Sequence, residues 1–232
     1  MDFPLGPPAP ESPAKTPARA PLHGRYTSLV PLDLSHSAPL FDALAGERNA
    51  ALWTYLPWHP VLKKAPFEDM VRDLATSTTY HYYAVLTGPA SDPNSRPAGI
   101  ASYLNIVPDH LRIEIGGIIL GAGLSRTRAA TEAFFLMIKY AFEELGYHRV
   151  EWKANNLNEP SKAAAARLGF TYEGMFRNHL IVKGRVRDTA WFSITAAEWP
   201  GVKKGLEAWL AEGNFDAEGV QIRTLKDCRE GQ

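Results

Sequence analysis

The chain has 232 residues, 45% hydrophobic, 11% aromatic and 22% charged, the proportions of a folded globular chain and not of a disordered one. Twenty-five Lys and Arg balance twenty-five Asp and Glu, so there is no net field to gather a polyanion, which argues against nucleic-acid polymers as partners. The one cysteine, Cys228, cannot form an intrachain disulfide or a cysteine-based metal site, and no apolar run approaches the roughly 18 residues of a membrane span; the chain reads as cytoplasmic, metal-free and without a membrane partner.

Residues 1–24 hold seven of the eighteen prolines and read as a flexible leader whose removal should leave folding intact. From residue 25 a short apolar-polar alternation predicts a strand, and the spacing of Leu40, Phe41 and Leu44 predicts a helix within 36–50. Residues 52–67 are broken by Pro57, Pro60 and Pro66 and carry Trp53, Tyr55, Trp58 and Phe67, an aromatic loop followed by a short helix over 67–76. Runs at 81–87, 98–106 and 111–120, bounded by turn residues, read as consecutive strands. Phe134, Met137, Ile138, Ala141 and Leu145 recur at helical spacing over 128–145, ending at Gly146. A strand at 148–154, a helix at 160–168 stopped by Gly169, a hairpin around Lys183-Gly184 and a helix at 198–210 follow, with 213–232 as a polar tail. This order predicts one α/β domain over 25–212, a mixed sheet with a right-handed crossover between two parallel strands.

Ligands in such sheets bind where strand ends meet helix N-termini, which directs attention to 120–132. There Ser125, Arg126, Thr127, Arg128, Ala129, Ala130 and Thr131 combine small side chains, which let an anion approach backbone amides, with arginines suited to phosphate oxygens. The alternative is solvated loop arginines and a capping Thr127. Asn158 and Ser161 stand at the mouth of the second crossover helix, alone no more than a capping signal.

Together these segments resemble the GNAT superfamily of acetyl-CoA-dependent N-acetyltransferases, over about 25–198. The matching parts are the 125–131 loop, Asn158 with Ser161, and Leu168-Gly169-Phe170. TEAF, LGFTYEG and KGRVRDTAWFSI are similar to the branch that acetylates ribosomal-protein N-termini, and LWTYLP and RDTAWFSITAAEWP to the acetyltransferase domain of microcin C self-immunity proteins, which acetylate aminoacyl-nucleotide toxins. The chain departs from the family pattern at three places: Arg128 replaces the middle glycine of the pyrophosphate loop, Ala165 stands where many members carry a tyrosine acid, and Leu180 stands where the ribosomal branch has a glutamate.

The resemblance implies a mostly antiparallel twisted sheet with a central parallel β-α-β crossover, acetyl-CoA as donor and direct transfer in a ternary complex. It places Glu114 as the base, backbone N–H groups of Ile118, Ile119 and Leu120 at the thioester carbonyl, Asn158 on the pantetheine amide, and Ser161 or a water it holds as the proton source for sulfur. Cys228 lies outside the matched region, which disfavours an acyl-cysteine route. For the acceptor, Trp53, Tyr55 and Trp58 offer a stacking wall, with Trp152 and Trp191 either joining it or filling the core. Arg177, His179 and Arg187 are candidates for an anionic acceptor, or solvated hairpin charges. The readings in play are a small-molecule amine acceptor, a protein N-terminus, and a non-catalytic acyl-CoA-binding protein, as monomer or homodimer.

Overall fold

The computed structural model describes residues 3, 5, 6, 8, 10 and 12–231. Eight strands build one sheet: β1 (Leu22–His23), β2 (Ser28–Pro31), β3 (His81–Leu86), β4 (Pro97–Val107), β5 (Arg112–Leu120), β6 (Arg149–Asn155), β7 (Thr171–Val182) and β8 (Arg185–Thr195). Their spatial order is β1-β2-β3-β4-β5-β6-β8-β7, and every neighbouring pair is antiparallel except β5 with β6. The helices are α1 (Ser37–Leu44), α2 (Lys64–Ala75), α3 (Arg128–Lys139), α4 (Glu159–Leu168), α5 (Trp199–Leu210) and α6 (Leu225–Glu230). The expected mixed α/β architecture, with α3 as the crossover, is the one observed.

The strands sort their side chains onto two cores by alternation. Tyr83, Val85, Ile113 and Ile115 face the cluster with Phe134, Met137 and Ile138 of α3 and Leu206 of α5. Tyr82, Ala84, Ile100 and Ile119 face the opposite cluster with Leu40 and Leu44 of α1 and Phe67 and Val71 of α2. The apolar spacing that predicts α3 is the spacing that buries it, and a cavity left by Phe134→Ala would cost about 3–5 kcal/mol. Buried Glu132 on α3 accepts from the backbone amides of Arg25 (3.0 Å), Tyr26 (2.6 Å) and Thr27 (2.9 Å), tying the sheet's first edge to the crossover helix.

Two irregularities open the sheet at its centre. β5 and β6 pair only from Arg112–Arg149 to Glu114–Glu151 and then separate. On the other side of β5 the register against β4 shifts between Ile100 and Ser102, a bulge in which Gly117 sits at φ +60° and Ser102 donates to the Gly116 carbonyl at 2.8 Å. A Cβ on Gly117 would lie 2.7 Å from the Ser102 hydroxyl, so glycine is needed there for both conformation and space.

Both ends differ from expectation. In the proline-rich leader, Ala14 and Pro17 are buried, Ala14 and Lys15 donate backbone bonds to Pro108 and Leu145, Arg19 reaches the carbonyls of Ala75 and Ser77, and Leu22–His23 pairs as a strand. Proline bars regular ladders, but its extended backbone can lie along a surface while neighbouring residues supply the donors. The polar tail likewise folds: Leu225 and Cys228 of α6 are buried against α5, and the Asn214 amide donates to the carbonyls of Trp209 and Arg223. Within the helix, burial of two apolar residues three positions apart is enough to hold a mostly polar segment.

Candidate active site

The separation of β5 from β6 is lined by two cavities that meet. The larger, of about 1040 Å³, runs from Ile118 and Leu120 over the 125–128 loop and α4 to Trp209, Phe215 and Gln221; the smaller, of about 270 Å³, is bounded by Tyr55, Trp58, Tyr80, Tyr82, Glu114, Lys153 and Arg187. Ile118, Trp152, Asn158 and Ser161 belong to the walls of both.

In the larger cavity Thr127 caps α3, its hydroxyl accepting from the Ala130 amide at 3.1 Å, and the first-turn amides of Arg128 and Ala129 have no intrachain acceptor among the described residues. Those amides and the helix dipole suit a pyrophosphate. Ser125, Arg126, Thr127, Arg128, Ala130 and Thr131 line the cavity, whereas the Ala129 side chain is buried away from it. Arg128 does not present its guanidinium as a free phosphate donor: it is stacked at 3.8 Å from both the Tyr26 and Phe215 rings and donates to the Leu210 carbonyl at 2.5 Å. Its backbone is helical, so the loop tolerates the loss of glycine there; the left-handed residue is Arg126, at φ +63°.

Asn158 caps α4, accepting from the Ser161 amide at 3.2 Å, and Ser161 Oγ accepts from the Trp152 indole at 3.0 Å, leaving the serine proton available to a ligand. Ala165 is fully buried in the main core, so α4 supplies no hydroxyl at that position. Trp152 is both core and wall: it packs edge-on against Phe134 and Phe170 and lines both cavities.

In the smaller cavity Glu114 is buried, accepting from Lys153 Nζ at 2.8 Å and Asn105 Nδ2 at 2.5 Å. Lys153 also pairs with Glu151 at 2.9 Å and stands 4.0 Å from the Trp191 ring centre. Desolvation opposes charge on Glu151, but bonds from Arg149 and Lys153 outweigh it and hold its carboxyl below the usual range. Burial, with a smaller contribution from Tyr80, pushes the Tyr82 phenol up to about 12.

Several expected site residues lie elsewhere. Trp53 is buried, donates to the Leu44 carbonyl at 2.7 Å and packs edge-on against Phe67, so it supports the aromatic loop from below while Tyr55 and Trp58 form the wall. Ile119 points into the α1–α2 core by strand alternation and lines neither cavity. Arg177 and His179 sit on an open surface patch of the β7–β8 hairpin, and Trp191 lies behind Lys153 among Phe176 and His179. Lys153, Asn105, Tyr80, Tyr82, Arg167, Trp209 and Phe215 escape a reading of the sequence. The signal for Lys153 was present, since alternation puts Glu151 and Lys153 on one face of a strand otherwise bound for the core.

A strand opening beside a helix N-terminus, with a cofactor-sized cavity joined to a small polar one, is the arrangement of an acyl-CoA-dependent transferase. The acetyltransferase (GNAT) domain family matches residues 27–171, and the chain belongs to that family. Among solved structures, a GCN5-related N-acetyltransferase from Brucella melitensis is 41% identical at TM-score 0.90, covering 94% of this chain and 98% of that one. The [ribosomal protein uS5]-alanine N-acetyltransferase of Escherichia coli (strain K12) is 28% identical over 155 residues, 62% of this chain and 77% of that protein. A Bacillus subtilis (strain 168) protein, ribosomal N-acetyltransferase YdaF in name, is 42% identical over 73 residues, 32% of this chain and 40% of that protein. The microcin C7 self-immunity acetyltransferase MccE, solved with acetyl-CoA and AMP, shares the fold at TM-score 0.63 and 20% identity, over 74% of this chain and 93% of that one. The family uses acetyl-CoA, and the larger cavity fits it: free first-turn amides for phosphate, small residues along α4 and an apolar wall for pantetheine.

Proposed function

We propose that this chain transfers acetyl from acetyl-CoA to the primary amine of a small molecule, by direct attack within a ternary complex in the cytoplasm, with a protective role against an aminoacyl-nucleotide or related toxic metabolite. The observation that carries this reading is the meeting of the two cavities at Ile118, Trp152, Asn158 and Ser161, which brings a thioester and an amine to one point.

Acetyl-CoA supplies the activated acyl group. The α3 first turn holds the phosphates, Asn158 the pantetheine amide, and the backbone N–H groups of Ile118 and Leu120, on the side of β5 that has left β6, hold the carbonyl oxygen as charge develops. Glu114, through a water, takes the amine proton, and Ser161 donates to the departing thiolate. Tyr55 and Trp58 give the acceptor aromatic faces. A protein N-terminus is the second reading, favoured by the ribosomal relatives; the small volume of the acceptor cavity weighs against a deeply bound peptide.

Calorimetric titration with acetyl-CoA, followed by thiol release against aminoacyl-sulfamoyl adenosines, amino acids, polyamines and N-terminal peptides, tests the proposal. Binding with release on a small amine supports it. Release on peptides alone moves the assignment to the second reading, and binding without release on any acceptor leaves an acyl-CoA-binding protein.

A further inference from the structure

The charges around Glu114 form a closed set apart from one. Glu114, Glu151 and Glu173 are matched by Lys153, Arg149 and Arg112 through contacts of 2.8 Å (Lys153–Glu114), 2.9 Å (Lys153–Glu151), 2.8 Å (Arg149–Glu151), the Arg149–Glu173 pair and 3.7 Å (Arg112–Glu151). Arg187, on β8, also lines the acceptor cavity, but among the described residues it has no ion pair. Its Nε donates to the Thr189 hydroxyl at 3.2 Å, a hydroxyl that also contacts His179 Nδ1 at 3.1 Å, so the stem is anchored while both terminal nitrogens lack an acceptor among the described residues. The guanidinium is half-buried, and burial pushes its pKa down by more than the nearby Glu114 carboxylate, already bonded to Lys153 and Asn105, raises it. Such a group is costly unless an anion meets it, and guanidinium geometry favours the two oxygens of a carboxylate or phosphate.

We infer that Arg187 is the specificity-determining residue for an anionic group on the acceptor, so that the amine acetylated here belongs to a molecule carrying a carboxylate or phosphate next to an aromatic or other planar body. The inference rests on the transferase reading and narrows its substrate class. The same wall repels diamines, because Lys153 and Arg187 both face the cavity while the one carboxylate lining it, Glu114, is already bonded to Lys153 and Asn105.

Matched acceptors test this in the thiol-release assay: phenylalanine against phenylalaninamide for the carboxylate arm, tyramine O-phosphate against tyramine for the phosphate arm, and 1,4-diaminobutane as a dication. The wild type should favour the anionic member of at least one pair by about tenfold or more in kcat/KM, and the pair that shows it distinguishes carboxylate from phosphate. Arg187→Gln should erase that preference through the acceptor KM, leaving the acetyl-CoA KM unchanged, and Arg187→Lys should restore part of it. Preference for the neutral or cationic amines, or an anionic preference that survives Arg187→Gln, overturns the assignment. If acetyl-CoA binds but no acceptor is turned over, the transferase reading fails separately. Calorimetric binding of phenylalanine and tyramine O-phosphate then decides the role of Arg187: about tenfold weaker binding by Arg187→Gln supports it, and equal or absent binding overturns it.

Discussion

Glu114 holds two bonds before any substrate arrives, one from Lys153 and one from Asn105, and these fix its carboxylate at the boundary between strand and cavity. Glu114→Gln keeps volume and an acceptor for Asn105 while removing the base; turnover should fall by about 10²-fold or more with acetyl-CoA affinity intact by calorimetry. Unchanged turnover would rule Glu114 out. At this scale the sequence is informative about type but not direction. Motif positions single out Glu114 and Ser161, and of these Glu114 lines the smaller cavity and Ser161 both. Trp53 is misplaced because an aromatic loop does not reveal which ring faces inward; the Leu44 carbonyl, nine residues earlier, decides that. The guanidinium of Arg128, though not its backbone amide, is misjudged for a similar reason, since its stacking partners are remote in the chain, Tyr26 from the first predicted strand and Phe215 from the segment read as a polar tail.

Elements, more than single residues, shape the acceptor side. The β7–β8 turn carries Lys183 at φ +49°, and its ammonium donates to three carbonyls of the aromatic loop: Trp53 at 2.8 Å, Thr54 at 3.0 Å and Trp58 at 3.3 Å. A hairpin tip thereby holds the loop that contributes Tyr55 and Trp58 to the cavity wall. Lys183→Met should raise the acceptor KM by about tenfold and admit bulkier amines, with the acetyl-CoA KM unchanged and Lys183→Arg restoring part of the effect; steady-state kinetics with each substrate varied reads this directly. The hairpin itself is legible, because Lys183-Gly184 between apolar runs is a turn signal. Its grip on residues more than 120 positions earlier is not, since only tertiary folding brings them together. The order of strands and helices follows from periodicity, whereas the parting of β5 and β6 has no mark in the sequence beyond Gly116-Gly117, which a turn would equally explain.

Across the whole molecule, charge and the packing of the ends set stability. The carboxyls of Glu151 and Glu173 lie below their ordinary value of 4.5, Glu173 chiefly through its bond from Arg149 and Glu151 through Arg149 and Lys153 against desolvation. Groups depressed on folding contribute stability that is complete above the unfolded value and is lost as pH falls through the folded one. Thermal melts should therefore show Tm level near neutrality and dropping below about pH 4.5, with a smaller drop in Glu151→Gln. A variant starting at Gly24 loses β1, the Arg19 bonds and the buried Ala14 and Pro17; its Tm should be lower by about 4 °C or more. An unchanged Tm would show those contacts to be inert. Composition conveyed the polarity of both ends but not their docking, because proline content and charge report what a segment cannot form, not what it can lie against. The sandwich of Arg128 between Tyr26 and Phe215 also has a bearing on biosynthesis. The last strand of the sheet ends at Thr195, so synthesis delivers every strand before the wall made by Trp209, Phe215 and Gln221. A chain halted before Phe215 would lack the last wall of the larger cavity, and the Arg128 guanidinium would lose one of its two ring partners.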